Sequence, residues 1–163
     1  MKANTLTRTQ LMPVLREDGV GPMHNVLGAR HRYKLLAEES GGVLSVWEVI
    51  LEPGIGAPPH IHAREAEMFY VVEGTLALSP GEGGAARHLG TGSFFYAPAG
   101  TPHAFHNPGP ATARILVFAT PGENLVTMFG EMDSAARDAG GMPPLEAVTR
   151  IAGDHGVAII PPV

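Results

Sequence analysis

Apolar residues in this chain come in short runs and alternations, cut every few positions by glycine, proline or polar pairs. Residues 30–37 and 43–51 read as strands, and the Glu39, Ser40, Gly41, Gly42 stretch between them predicts a hairpin. Residues 67–72 are rich in β-formers, with Glu67, Phe69 and Val71 on one face. Residues 75–79 are expected to continue the sheet, 80–84 to form a loop and 86–89 a short strand. Residues 93–97, 103–107 and 113–119 complete the strand pattern, the first two joined by a turn over 98–102, the last preceded by Pro108, Gly109 and Pro110.

After Gly122 the period changes. Leu125, Met128, Phe129 and Met132 recur at three-and-four spacing, which predicts a helix over 124–139 with Asn124 as a candidate cap. Pro143 and Pro144 interrupt, residues 145–152 offer a second short helix, and 157–160 read as a closing strand before Pro161 and Pro162. At the other end, residues 7–13 resemble an extended arm, which in a dimer would lie over the partner. The expected organisation is an N-terminal arm over 1–28, a β barrel over 29–120, and a C-terminal helical segment with a closing strand over 121–163.

Composition agrees with a turn-rich β protein. The chain has 163 residues, 44% of them hydrophobic, with 21 glycines and 15 prolines, both of which break helices and populate turns. That length fits one domain burying roughly two-thirds of its unfolded surface. A net charge of −5 with scattered Lys and Arg offers no basic face, so no nucleic-acid partner is expected. There is no cysteine, hence no disulfide and no thiolate metal ligand. No apolar core of a signal peptide and no membrane-length apolar run is visible, and a cytoplasmic protein without membrane contact is the default expectation.

The candidate chemistry lies in two glycine-punctuated frames. The first runs Gly54, five residues, His60, one residue, His62, four residues, Glu67, six residues, Gly74; the second runs Gly92, five residues, Pro98, one residue, Gly100, two residues, His103, three residues, Asn107. In a strand, His60 and His62 fall on one face about 6 to 7 Å apart, so two imidazoles can share one ion. Glu67 would be about 16 Å away if the strand ran straight on, so the chain must turn, and residues 63–66 are short enough for a tight hairpin. Three imidazoles and one carboxylate suit a divalent transition metal (Fe, Mn, Ni, Co, Cu or Zn) and leave open positions in an octahedral ion.

Every fixed position of both frames matches the paired motifs of the cupin superfamily, which the chain therefore resembles. Residues 41–49, 67–74 and 120–123 make it look closest to single-domain, quercetin 2,3-dioxygenase-like cupins. The resemblance implies an all-β, double-stranded β-helix barrel of the jelly-roll type with short C-terminal helices, one divalent metal per chain at its mouth, and a homodimer. It also implies the metal ligands His60, His62, Glu67 and His103, with Glu67 as a catalytic base towards a substrate hydroxyl.

Other readings compete. Glu65 rivals Glu67 but would sit within the turn. His106 falls on the opposite strand face from His103, and His24, His31, His88 and His155 lack partners at metal-site spacing, so these read as solvated or structural. Phe69, Phe94, Phe105 and Phe118 could line a substrate pocket, although aromatic residues also simply fill small barrels. The Met128, Phe129 and Met132 stripe fits a lid or a packed helix face, and Asn107 a turn-fixing hydrogen-bonder. The leading expectation is a dioxygenase-type oxidoreductase acting on a small, aromatic or flavonol-like substrate. The alternatives are a metal-dependent isomerase, lyase or decarboxylase, and a non-catalytic small-molecule-binding protein.

Overall fold

The predicted alternation is realised strand by strand in the computed structural model, which describes residues 11–81 and 84–160. The first ten residues of the expected arm, the centre of the 80–84 loop and the Pro161, Pro162 end lie outside the described residues. In chain order the strands are β1 (Met23–Val26), β2 (Ala29–Leu35), β3 (Ser45–Leu51), β4 (Gly56–His62), β5 (Ala66–Glu73), β6 (Thr75–Pro80), β7 (Arg87–Gly90), β8 (Phe94–Ala97), β9 (His103–His106) and β10 (Ala113–Thr120). Helices α1 (Glu123–Asp138) and α2 (Leu145–Asp154) and a last strand, β11 (Val157–Ile159), follow.

The strands form two antiparallel sheets, one ordered β1-β2-β3-β10-β5-β8 and the other β11-β4-β9-β6-β7. Along β10, Ala113, Ile115, Val117 and Ala119 are buried while the residues between them are not, the period-2 signature of a strand with one face on a core. Trp47, Val49 and Leu51 of β3, Phe69 and Val71 of β5, and Leu76 and Leu78 of β6 fill the space between the sheets. This is the double-stranded β-helix expected.

Two local expectations change. The turn at residues 63–65 is not a hairpin: β4 belongs to the second sheet, paired with β9 and β11, whereas β5 belongs to the first, paired with β10 and β8. The chain crosses from sheet to sheet there, and again between β5 and β6 and between β8 and β9. Short turns alone do not specify pairing; a jelly roll uses them as corners. By contrast β2 and β3 do pair as the predicted hairpin.

The second change is at the N-terminus. Met23–Val26, within the segment expected as an arm, is a strand paired with β2. The preceding residues lie against their own sheet: Arg16 bonds both Glu39 oxygens and the Lys34 carbonyl, and Asp18 pairs with Arg114.

The C-terminal segment closes one end of the barrel. Leu125, Met128, Phe129 and Met132 are the buried face of α1, as their spacing predicts, and Val148, Ile151 and Ala152 are that of α2. β11 pairs with the histidine strand, setting Val157 opposite His62 and Ile159 opposite His60. Asn124 does not cap α1; it lies inside the helix, and its side chain is used elsewhere.

Candidate metal centre

His60 and His62 leave β4 on its inner face, and His103, at the start of β9, is register partner to His60. Glu67 approaches from β5 in the facing sheet, where the corner at 63–65 delivers it. The turn before His103 is tied to the same place, because the Gly100 amide donates to the His62 carbonyl at 2.8 Å. Gly100 has φ of +80°, a conformation that suits glycine. All four side chains are buried, and their donor atoms lie within 4.8 Å of one another.

The arrangement suits an ion. Glu67 Oε2 stands 3.0 Å from both His62 Nε2 and His103 Nε2. Two donors bound at right angles to one ion at about 2.1 Å are about 3.0 Å apart. His62 Nε2 is buried and makes no hydrogen bond despite its closeness to Glu67. Behind the cluster, the Nδ1 atoms of His60 and His103 lie 2.8 and 3.0 Å from the Pro58 and Thr101 carbonyls. Each Nδ1–H donates outward, which leaves Nε2 free to bind inward. A buried polar cluster of this kind, with an orphaned ring nitrogen, fits a divalent transition metal.

Its electrostatics favour the metal-binding forms of His60 and Glu67. Burial, then the neighbouring His103 and His62, pushes His60 down to about 4, so that ring is neutral at neutral pH. Burial works against the Glu67 charge, but His62 and His103 outweigh it and hold the carboxyl well below the usual range. Burial also opposes charge on His62, yet Glu67 and then Glu65 raise it. The carboxylate therefore attracts cations and waits for a stronger one than imidazolium.

Beside the cluster is a cavity of about 70 Å³, bounded by both sheets, α1, α2 and β11. Phe69, Phe105, Val117, Met128, Phe129 and Met132 give it apolar walls. Of the four aromatic residues considered for a substrate pocket, Phe69 and Phe105 line this cavity. Phe94 is 60% exposed on β8, and Phe118 lies on the face of β10 away from the core, so neither lines this cavity. Phe95, which the pattern did not single out, packs against Phe69 and His103 instead.

His31 was the least visible contributor. It is buried on β2, lines the cavity, stacks towards Trp47 and meets Phe129 edge-on at 4.7 Å. Burial, against the pull of Glu67, pushes it down to about 3, and its Nδ1 and the Trp47 Nε1 both lack partners. Only its parity with Tyr33 on a strand could have flagged an inward imidazole. His106 is exposed on the opposite face of β9, as expected. Asn107 donates to the Leu51 and Ala111 carbonyls and accepts from the Gly109 amide, the turn-fixing role expected of it.

No curated protein matches the chain. Residues 47–119, from β3 through most of β10, match the family model described as Cupin domain. Among solved structures, a sugar phosphate isomerase of the cupin superfamily from Silicibacter pomeroyi is 30% identical, over 57% of this chain and 59% of that one, with a TM-score of 0.50. The polyketide cyclase RemF from Streptomyces resistomycificus is 25% identical over 68% of this chain and 80% of its own, with a TM-score of 0.59. An RmlC-like cupin from Shewanella frigidimarina, 17% identical over 68% and 92% with a TM-score of 0.56, shares the fold. Barrel topology, the matched span and the buried His60, His62, Glu67, His103 group together make this chain similar to proteins of the cupin superfamily.

Proposed function

We propose that the protein is a metal-dependent enzyme of the dioxygenase type acting on a small, largely apolar organic molecule that carries an oxygen donor. The observation that carries this reading is a buried three-histidine, one-carboxylate cluster beside a largely apolar cavity. A divalent metal bound there supplies Lewis acidity and an electron path between substrate and dioxygen. His60, His62, Glu67 and His103 would hold it. Glu67 engages His62 and His103 through Oε2, and Oε1 has no hydrogen-bond partner among the described residues, which leaves it placed to take a substrate hydroxyl proton. Phe69, Phe105 and the α1 side chains exclude water and orient the substrate body.

Cavity size narrows the substrate. Pockets for drug-sized ligands span roughly 300–1,000 Å³, whereas this one has about 70 Å³. A flavonol does not fit in this conformation, so the flavonol-like expectation is replaced by a substrate of a few heavy atoms. Among the described residues no Lys or Arg lines the cavity, which disfavours a phosphorylated or polyanionic substrate.

A second reading, Lewis-acid chemistry without oxygen, is favoured by the likeness to a cyclase and an isomerase. Oxygen uptake by the metal-loaded protein over small phenols, enols and diketones separates the two: consumption coupled to substrate loss supports the first, and anaerobic turnover at an equal rate overturns it. For assembly, we propose a homodimer built on the outward stripe of Tyr70, Phe94 and Tyr96, which is exposed on β5 and the edge strand β8. Sedimentation of the protein and of Phe94→Glu tests it, a monomeric wild type being the contrary result.

A further inference from the structure

We infer that Glu65 is the positioning carboxylate of His62, held in place by the C-terminal helices, so that the α1–α2 segment sets the strength of metal binding. The inference rests on reading the four-donor cluster as a metal centre and assigns it a part that the cluster itself lacks. His60 and His103 each turn Nδ1 to a backbone carbonyl. His62 has no such carbonyl: its Nδ1 is buried without a partner. Facing it at 3.9 Å is Glu65 Oε2, also buried and also without a partner.

A buried donor and a buried acceptor left unmatched each cost about 1–3 kcal/mol. Here they are complementary and about 1 Å beyond hydrogen-bond reach. A small rotation of the His62 ring as it binds an ion closes that gap and fixes Nδ1–H outward, Nε2 inward. Imidazoles that bind metals need such an outer acceptor to hold tautomer and ring angle.

Glu65 is not free to drift away. Its Oε1 accepts from Asn124 Nδ2 at 2.9 Å. The same amide group donates to the His155 carbonyl at 2.7 Å, and Asn124 Oδ1 lies 2.9 Å from His155 Nδ1, whose Nε2 is 3.1 Å from Glu131 Oε1. The Asn124 amide is thus fully used, tying the start of α1 to the residue after α2 and both to the corner between β4 and β5. Glu65, 2% exposed, links that node to a donor of the centre.

Glu65→Gln separates this role from mere anchoring. The Asn124 donor keeps the amide oxygen on its own side, so the helix anchor survives, while the amide NH2 now faces His62 Nδ1. Donor meets donor, and His62 is driven to the tautomer whose Nε2 carries the proton. Titration of the metal-free protein with Co(II), followed by its visible spectrum, is expected to show one site in the wild type. Glu65→Gln should show an affinity loss of about 10–100-fold with an altered spectrum and an unchanged apo unfolding midpoint, and Asn124→Ala a smaller loss. In the Zn(II)-loaded wild type, long-range nitrogen–proton NMR should show His62 protonated at Nδ1, a test independent of any variant. Equal Co(II) affinity in folded Glu65→Gln, or a His62 ring protonated at Nε2 with zinc bound, overturns the inference while leaving the centre intact. A wild type that takes up no Co(II) removes the centre and this inference together.

Discussion

His103 Nε2 lies 3.0 Å from Glu67 Oε2, joining the second sequence frame to the first across the two sheets of the barrel. A metal bound here would take both atoms as donors, and losing either would open the site to water. His103→Ala and His62→Ala are each expected to cut bound metal below about a tenth of the wild-type content, because catalytic centres hold their ion with few ligands. The barrel should stay folded, since each imidazole contributes little to the apolar core. Elemental analysis and circular dichroism of both variants check this, and full metal content in either would refute the ligand assignment.

Metal binding should stabilise the fold. Free metal at a hundred times its Kd adds about 2.7 kcal/mol. In a domain of this size that raises the unfolding midpoint by about 5–10 °C. Calorimetry with Mn(II), Co(II) and Zn(II), reversed by a chelator, measures it. A midpoint indifferent to all three metals would count against the centre.

Acid should weaken the protein through His31, which the fold keeps neutral. Its folded pKa, about 3, is below the unfolded value of 6.5, so the unfolded chain takes up a proton that the native state refuses. The resulting stability is present above pH 6.5 and is lost as pH falls from there towards 3, at up to about 1.4 kcal/mol per pH unit. His31→Phe removes this titration. Denaturant unfolding between pH 6.5 and 4 should give the variant a slope shallower by about one proton; identical slopes would show that His31 is protonated in the native state.

Filling the cavity should separate binding of metal from turnover. Ala152, on the inner face of α2, is fully buried against it. Ala152→Leu adds three carbons there at a cost of about 1–3 kcal/mol in strain. Metal content should be unchanged and oxygen uptake with any accepted substrate lost. Retained uptake would place the substrate outside the barrel.

Asn107 offers the opposite separation. Its three hydrogen bonds hold the 107–111 turn to β3, and at about 1 kcal/mol each their loss in Asn107→Ala should cost about 3 kcal/mol. Urea unfolding and metal titration together test it: stability should fall while metal affinity does not.

Much of this arrangement was legible in the sequence because it is local. Strand parity put His60 and His62 on one face, the helical period identified Leu125 to Met132, and the spacing of Gly100 and His103 marked the turn. What remained hidden depends on pairing between distant segments. Residues 63–66 look like a hairpin loop, since nothing in four residues says that β4 will pair with β9 and β11 rather than β5. Asn124 has the chemistry of a cap, but a buried Glu65 across the fold takes its amide instead. His31 and His155 have no neighbours in sequence that reveal what they meet in space.

The pairing of β11 with β4 also has a bearing on biosynthesis. Residues 157–159 leave the ribosome long after His60 and His62, so a nascent barrel presents its histidine strand as an open edge until they have emerged. Ribosome-stalled chains lacking residues 157–159 should therefore be the aggregation-prone species.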